Sequence, residues 1–213
     1  MSCPICSKRK PQRYCPAKMD TICAVCCGTE REVTIDCTPD CPYLAAAHRY
    51  EEEHRKPIDP ASIPFADAHF PRTAIDDHEN VVVGIGLAIL KFAAVHPDLN
   101  DSQALHALQA LAETTRTLTS GIYFERPPDA PLSRALYDEL AKSLAEIRQR
   151  EAERAGFPTV KDSEVFYVLV FLLRIGTQAT NGRPRSRMFL EFLRSQYPAE
   201  PEVAREQPRI IVP

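Results

Sequence analysis

A chain of 213 residues with 44% apolar content suits one globular core with a small appended module, and its net charge of −3 excludes a polycation built to coat nucleic acid. The longest apolar stretches, Val81–Val95 (interrupted by Lys91) and Val165–Ile175, fall short of the roughly 18 residues a membrane span needs, so no transmembrane helix is expected. Met1-Ser2-Cys3-Pro4 has no charged region leading into an apolar one, so no signal peptide is expected and the expected location is the cytoplasm.

Residues 1–56 read as a Cys-rich module, closing in the mixed-charge run Arg49-Tyr50-Glu51-Glu52-Glu53-His54-Arg55-Lys56, which suits a short helical exit. Residues 57–75 hold Pro57, Pro60, Pro64 and Pro71, a spacing that forbids a long helix and predicts a linker or strap. Phe65 and Phe70 predict that this strap packs on the neighbouring domain. From Asp76 the period becomes helical. Asp76 and Asp77 offer a cap for a helix through Val81, Ile85, Ile89 and Phe92 that Pro97 stops. Asp101 or Ser102 offers a cap for the next, with Leu105, Leu108, Leu111 and Leu118 on one stripe and Ser120-Gly121 at its end. A third carries Leu132, Leu136, Leu140, Leu144 and Ile147 and ends near Gly156. The fourth begins at Asp162 or Ser163 and is apolar almost all round from Val165 to Ile175, which predicts the centre of a bundle. Asn181-Gly182 breaks the chain, and Pro184 suits the first turn of a fifth helix through Phe189, Phe192 and Leu193. The expected fold is mainly α, a small N-terminal Cys-rich zinc module (1–56) and linker (57–75) followed by an all-α bundle of about five helices (76–197) and an extended tail (198–213).

All eight cysteines lie between Cys3 and Cys41. In a reducing compartment, thiols clustered this closely are metal ligands or redox groups before they are disulfides. Cys3-x2-Cys6 and Cys23-x2-Cys26 are two pairs 17 residues apart, and two thiolates two residues apart can grip one tetrahedral zinc from a tight turn. Gly28, just past Cys26, would ease such a turn. Eight thiols divide into two four-cysteine sites, so two zinc ions are expected. One interleaved division places Cys3, Cys6, Cys23 and Cys26 on one ion and Cys15, Cys27, Cys37 and Cys41 on the other, with His48 as a substitute for one member of the second set. Several other divisions satisfy the same spacing. Zinc would replace the hydrophobic core that about 50 residues cannot build. The competing reading, a thiol redox pair at Cys23 and Cys26, lacks the βαβ context expected of it.

This alternation of ligand groups over residues 3–48 resembles the cross-brace zinc fingers of the HIT, MYND and B-box families. Those families usually pair a ligand where this chain has Cys15 alone, and favour a terminal His and Cys where it has Cys37 and Cys41. The resemblance implies a protein-interaction or scaffold module rather than an enzyme.

Two basic clusters stand out elsewhere. Lys8, Arg9, Lys10, Arg13 and Lys18 surround Tyr14, a pattern able to touch phosphates and a base. Against it, a zinc held by four thiolates carries a net −2, and residues 1–56 hold nine Lys/Arg against eight Asp/Glu. Arg183, Arg185, Arg187 and Arg194 flank the fifth helix, where a helix N-terminus with arginines is an anion site unless acidic partners neutralise them. No Ser-His-Asp order, phosphate loop or dinucleotide fingerprint occurs. The leading expectation is a non-catalytic zinc-stabilised binding or adaptor protein with a protein partner. A nucleic-acid-associated regulator and a thiol/zinc redox sensor are the alternatives.

Overall fold

The computed structural model describes residues 2–55, 57–121 and 123–197. Among these the fold is mainly helical, with one small two-stranded sheet. The chain opens with β1 (Arg13–Cys15) and β2 (Asp20–Ile22), an antiparallel hairpin pairing Arg13 with Ile22 and Cys15 with Asp20. Two helices follow, α1 (Ala24–Glu30) and α2 (Pro42–Glu53). Pro42 opens α2 at its first position, where the missing N–H costs nothing. Residues 49–53 of the expected helical exit are therefore the last part of a longer helix, which ends at Glu53.

The strap after α2 leads into a single turn, α3 (Thr73–Asp76), and then the five bundle helices α4 (Glu79–Val95), α5 (Asp101–Thr119), α6 (Pro131–Ala155), α7 (Asp162–Ala179) and α8 (Met188–Gln196). The described chain thus has more than the five helices expected from periodicity, because α1, α2 and α3 are added to them. Asp76 and Asp77 end α3 instead of capping α4. Asn100, not Asp101 or Ser102, caps α5 in a reciprocal box with Gln103. Gly156 ends α6 in the left-handed region, as a glycine there should.

Helix α7 lies at the centre, packed against α3, α4, α5 and α8, and its all-round apolar surface is the reason. The core gathers Val81, Ile85 and Ile89 from α4, Leu108 from α5, Leu136 and Leu140 from α6, Leu169 from α7 and Phe189 from α8, all fully buried. Phe65 of the strap meets Phe166 edge-on and Phe70 stacks on Tyr167. Arg174 of α7 reaches out to fix the strap, donating to the carbonyls of Pro64, Phe65 and Ala68.

The fifth helix starts later than Pro184 suggests. Residues 180–187 form a loop, and α8 begins at Met188 because its first amides are capped from another helix. The buried carboxylate of Asp101 accepts from Phe189 N (3.1 Å), Leu190 N (3.3 Å) and Ser186 Oγ (2.7 Å). Four or so amides at a helix start have no partner of their own, and here a carboxylate at the start of α5 supplies one. The tail expected over 198–213 lies outside the described residues.

Candidate metal centre

The small apolar cluster of the cysteine-rich segment consists of cysteines wrapped around Ile22 and Ile35, which is too little to hold about 50 residues by burial alone. The sulfurs are arranged to do the rest. Sγ of Cys3, Cys6, Cys23 and Cys26 all lie within 4.8 Å of one another, and Cys6 Sγ is 4.0 Å from Cys23 Sγ. A tetrahedral zinc with bonds of about 2.3 Å sets its sulfurs about 3.8 Å apart, so the spacing fits the ion.

Backbone amides are aimed at these sulfurs. Cys23 N donates to Cys3 Sγ at 3.3 Å, and Cys26 N donates to Cys23 Sγ at 3.4 Å. The amides of Lys8 and Arg9 point at Cys6 and bring its thiol down to about 6. Cys3 is also lowered: burial opposes this, but the amides of Cys23, Cys6 and Ile5 overcome it. Cys26 is pushed up to about 12, first by burial and then by the sulfurs of Cys23, Cys6 and Cys3. Four such thiols cannot all ionise against one another unless a cation sits among them, which is the chemistry of a metal site.

Two local devices build the tetrad. After Cys3 the chain turns through Ser7 at φ 54°, with Ser7 N on Cys3 O and Cys3 N on Arg9 O. The second device differs from the expected glycine turn. Cys23 is the N-cap of α1 and its sulfur receives the third-residue amide, so the pair is carried by a helix start. Gly28 lies inside α1 with open space about it and does not make the turn.

The remaining four thiols, Cys15, Cys27, Cys37 and Cys41, do not meet the same spacing among the described residues. Cys15 ends β1, Cys27 lies beside Cys26 on α1, and Cys41 caps the start of α2, all three buried. Cys37 is half-buried, and its thiol is raised by burial and by the neighbouring Glu32, Cys41 and Cys15, although the Glu32 amide donates to it. His48, the expected substitute ligand, is engaged elsewhere. Its Nε2 lies 3.0 Å from Glu32 Oε1 and its Nδ1 3.4 Å from Glu191 Oε2.

The arginines after α7 are the other side of that junction. Arg183 donates to Arg31 O (2.9 Å) and to Glu51 Oε1 (3.2 Å). Arg187 holds Asp36 at 2.6 Å and the carbonyls of Leu99 and Pro97. Arg185 stands 3.8 Å from Asp36, and its amide donates to Glu32 O. Asn181 Nδ2 donates to both Glu32 Oε2 and Glu51 Oε2. Three arginines grouped in sequence as an anion site thus face protein carboxylates and carbonyls, whereas Arg194 is exposed on α8. Lys8, Arg9, Lys10 and Lys18 are exposed, and Arg13 lies with its guanidinium 4.8 Å over the Tyr43 ring. Sequence spacing pointed to none of the acidic partners Glu32, Asp36, Glu51 and Glu191, since each meets a residue far away in the sequence.

Compared with family models, with curated proteins and with solved structures, the chain matches none. No helix among the described residues is long and apolar enough to cross a membrane.

Proposed function

We propose that this protein is a non-catalytic interaction or adaptor protein whose N-terminal segment is folded by zinc and presented by the helical bundle. The observation that carries the reading is the closed tetrad of Cys3, Cys6, Cys23 and Cys26. Four protein sulfurs fill a tetrahedral zinc and leave no position for a substrate or a water, which is the signature of a structural ion. A second ion on Cys15, Cys27, Cys37 and Cys41 completes the proposal. Its support is that three of these thiols are buried and that Cys37 feels the charges of Cys15 and Cys41. Bound zinc would close this looser set into a second centre. Eight thiols kept reduced suit the cytoplasm.

The nucleic-acid alternative loses support where Arg183, Arg185 and Arg187 face internal partners. The adaptor reading is tested with a photo-crosslinking residue placed at exposed Tyr14, on the zinc-loaded full chain in cell extract. Stoichiometric capture of one protein, lost in Cys23→Ser, is the expected result. Capture that survives removal of the metal, or capture of nucleic acid alone, would overturn it.

A further inference from the structure

Arg183, Arg185 and Arg187 meet carboxylates of the cysteine-rich segment, whereas Arg13 and Arg31 have no carboxylate partner among the described residues. Arg31 makes no side-chain hydrogen bond or ion pair with the described residues, and its Nε is buried without a partner. Arg13 has only the Tyr43 ring beneath it. Both line one cleft of about 260 Å³ on the outer face of α2, with Tyr43, Ala46, Ala47, Tyr50 and Glu51. The two alanines make a small-residue floor one helical turn from each tyrosine. Tyr50 is exposed, its ring stacked 4.0 Å from His54. The acidic residue in the lining is spoken for, because Glu51 takes Arg183 and Asn181. Arg31 is half-buried and lines the cleft without a carboxylate partner, and a carboxylate is the acceptor that matches the fork of an arginine best.

We infer that this cleft between Arg13, Arg31 and the Tyr43–Tyr50 face of α2 binds an acidic side chain of a partner peptide. The inference rests on the protein-interaction reading and names the partner's chemistry. The peptide is favoured over nucleic acid by charge and by size. Residues 1–56 carry nearly balanced charges, nine Lys/Arg against eight Asp/Glu, and a thiolate-bound zinc adds negative charge, so a long phosphate chain gains little beyond the two arginines. The cleft holds one or two side chains, and both arginines line it. Beside it, β1 belongs to a sheet of two strands, so a further strand could run along an outer edge of that sheet.

The test uses the zinc-loaded full chain and follows the arginine Nε–Hε and backbone amide resonances. The probes are pools of terminally blocked octapeptides with Asp or Glu fixed at one position, matched pools with Asn or Gln there, a single-stranded oligothymidylate, and inorganic phosphate. The expected result is a shift of the Arg31 Nε–Hε and of the Tyr43–Tyr50 amides with the acidic pools only. Affinity should fall about tenfold or more in Arg31→Gln. Ala46→Glu, a change at an exposed helix position that leaves both arginines in place, should fill the cleft with its own carboxylate and abolish the shift. Zinc content and helicity of each variant separate lost binding from lost folding. Shifts with oligothymidylate or phosphate and none with acidic peptide would overturn the inference, as would acidic binding unchanged by Ala46→Glu. Neutral and acidic pools binding alike at another surface would sink the cleft and spare the interaction reading. No peptide of any kind bound, with a protein captured at Tyr14, would do the same.

Discussion

Replacing His48 by glutamine should destabilise the protein by about 3 kcal/mol at pH 7, and the loss should vanish at high pH. His48 is 7% exposed and Glu32 2%. Burial alone would push the imidazole down, but hydrogen bonds to Glu191 and Glu32, and their charges, raise it from 6.5 to about 10. Glu32 shifts the other way: burial would raise it, but His48, Asn181 and Arg183 hold it below the usual carboxylate range. A rise of three to four pH units corresponds to about 5 kcal/mol at most. The Glu191 side chain is 36% exposed and screened by water, so the figure is set nearer the lower end for breaking a buried pair, about 3 kcal/mol. Because the folded value lies above the unfolded one, this contribution is whole below about pH 6.5 and is lost as pH climbs through about 10. The assay is calorimetric melting of wild type and variant with zinc present, at pH 7 and about pH 10.5. The difference in Tm should be about 6–12 °C at pH 7 and collapse at the higher value. A difference under about 2 °C at pH 7, or one that persists undiminished at pH 10.5, would refute a charged imidazole bridging two carboxylates.

Asp101→Ala removes the acceptor for two amides of α8 and for Ser186, and should cost about 2–4 kcal/mol, with hydrogen exchange accelerating first in Phe189 and Leu190. Gly176→Ala places a methyl 2.5 Å from Leu105 Cδ2 and 3.1 Å from two Phe189 ring carbons, so denaturant unfolding should show a loss of about 1–3 kcal/mol. Arg174→Ala releases three carbonyls of the strap and should make residues 64–68 the first sites of limited proteolysis while the bundle stays protected.

The bundle was readable because its signals are local. Leucines at helical spacing, Pro97 and Gly156 mark α4 to α6, and the unbroken run from Val165 to Ile175 marks α7 as the central helix. What spacing could not show is long-range. The start of α8 is set by Asp101, 85 residues before Ser186, and no local pattern at Pro184 carries that information. The first thiol tetrad was legible as two CxxC pairs, yet the turn at the second is a helix cap instead of a glycine corner, because a thiolate serves the amides of α1 as an aspartate would. Arg183, Arg185 and Arg187 looked like an anion site because their neutralising partners, Glu51 and Asp36, are more than a hundred residues away in sequence. Arg31, isolated in sequence, gave no signal at all and became notable only when its side chain was seen without an acceptor.

The most direct measurement is metal content by elemental analysis of the purified, reduced protein, with a count of reactive thiols before and after chelation. The account predicts two zinc ions per chain, eight thiols masked before chelation and eight reactive after it, with α1 and α2 losing their structure as the metal leaves. One zinc with four reactive thiols would keep the Cys3, Cys6, Cys23 and Cys26 centre and remove the second. A protein that folds with no metal and eight reactive thiols would contradict the account at its root.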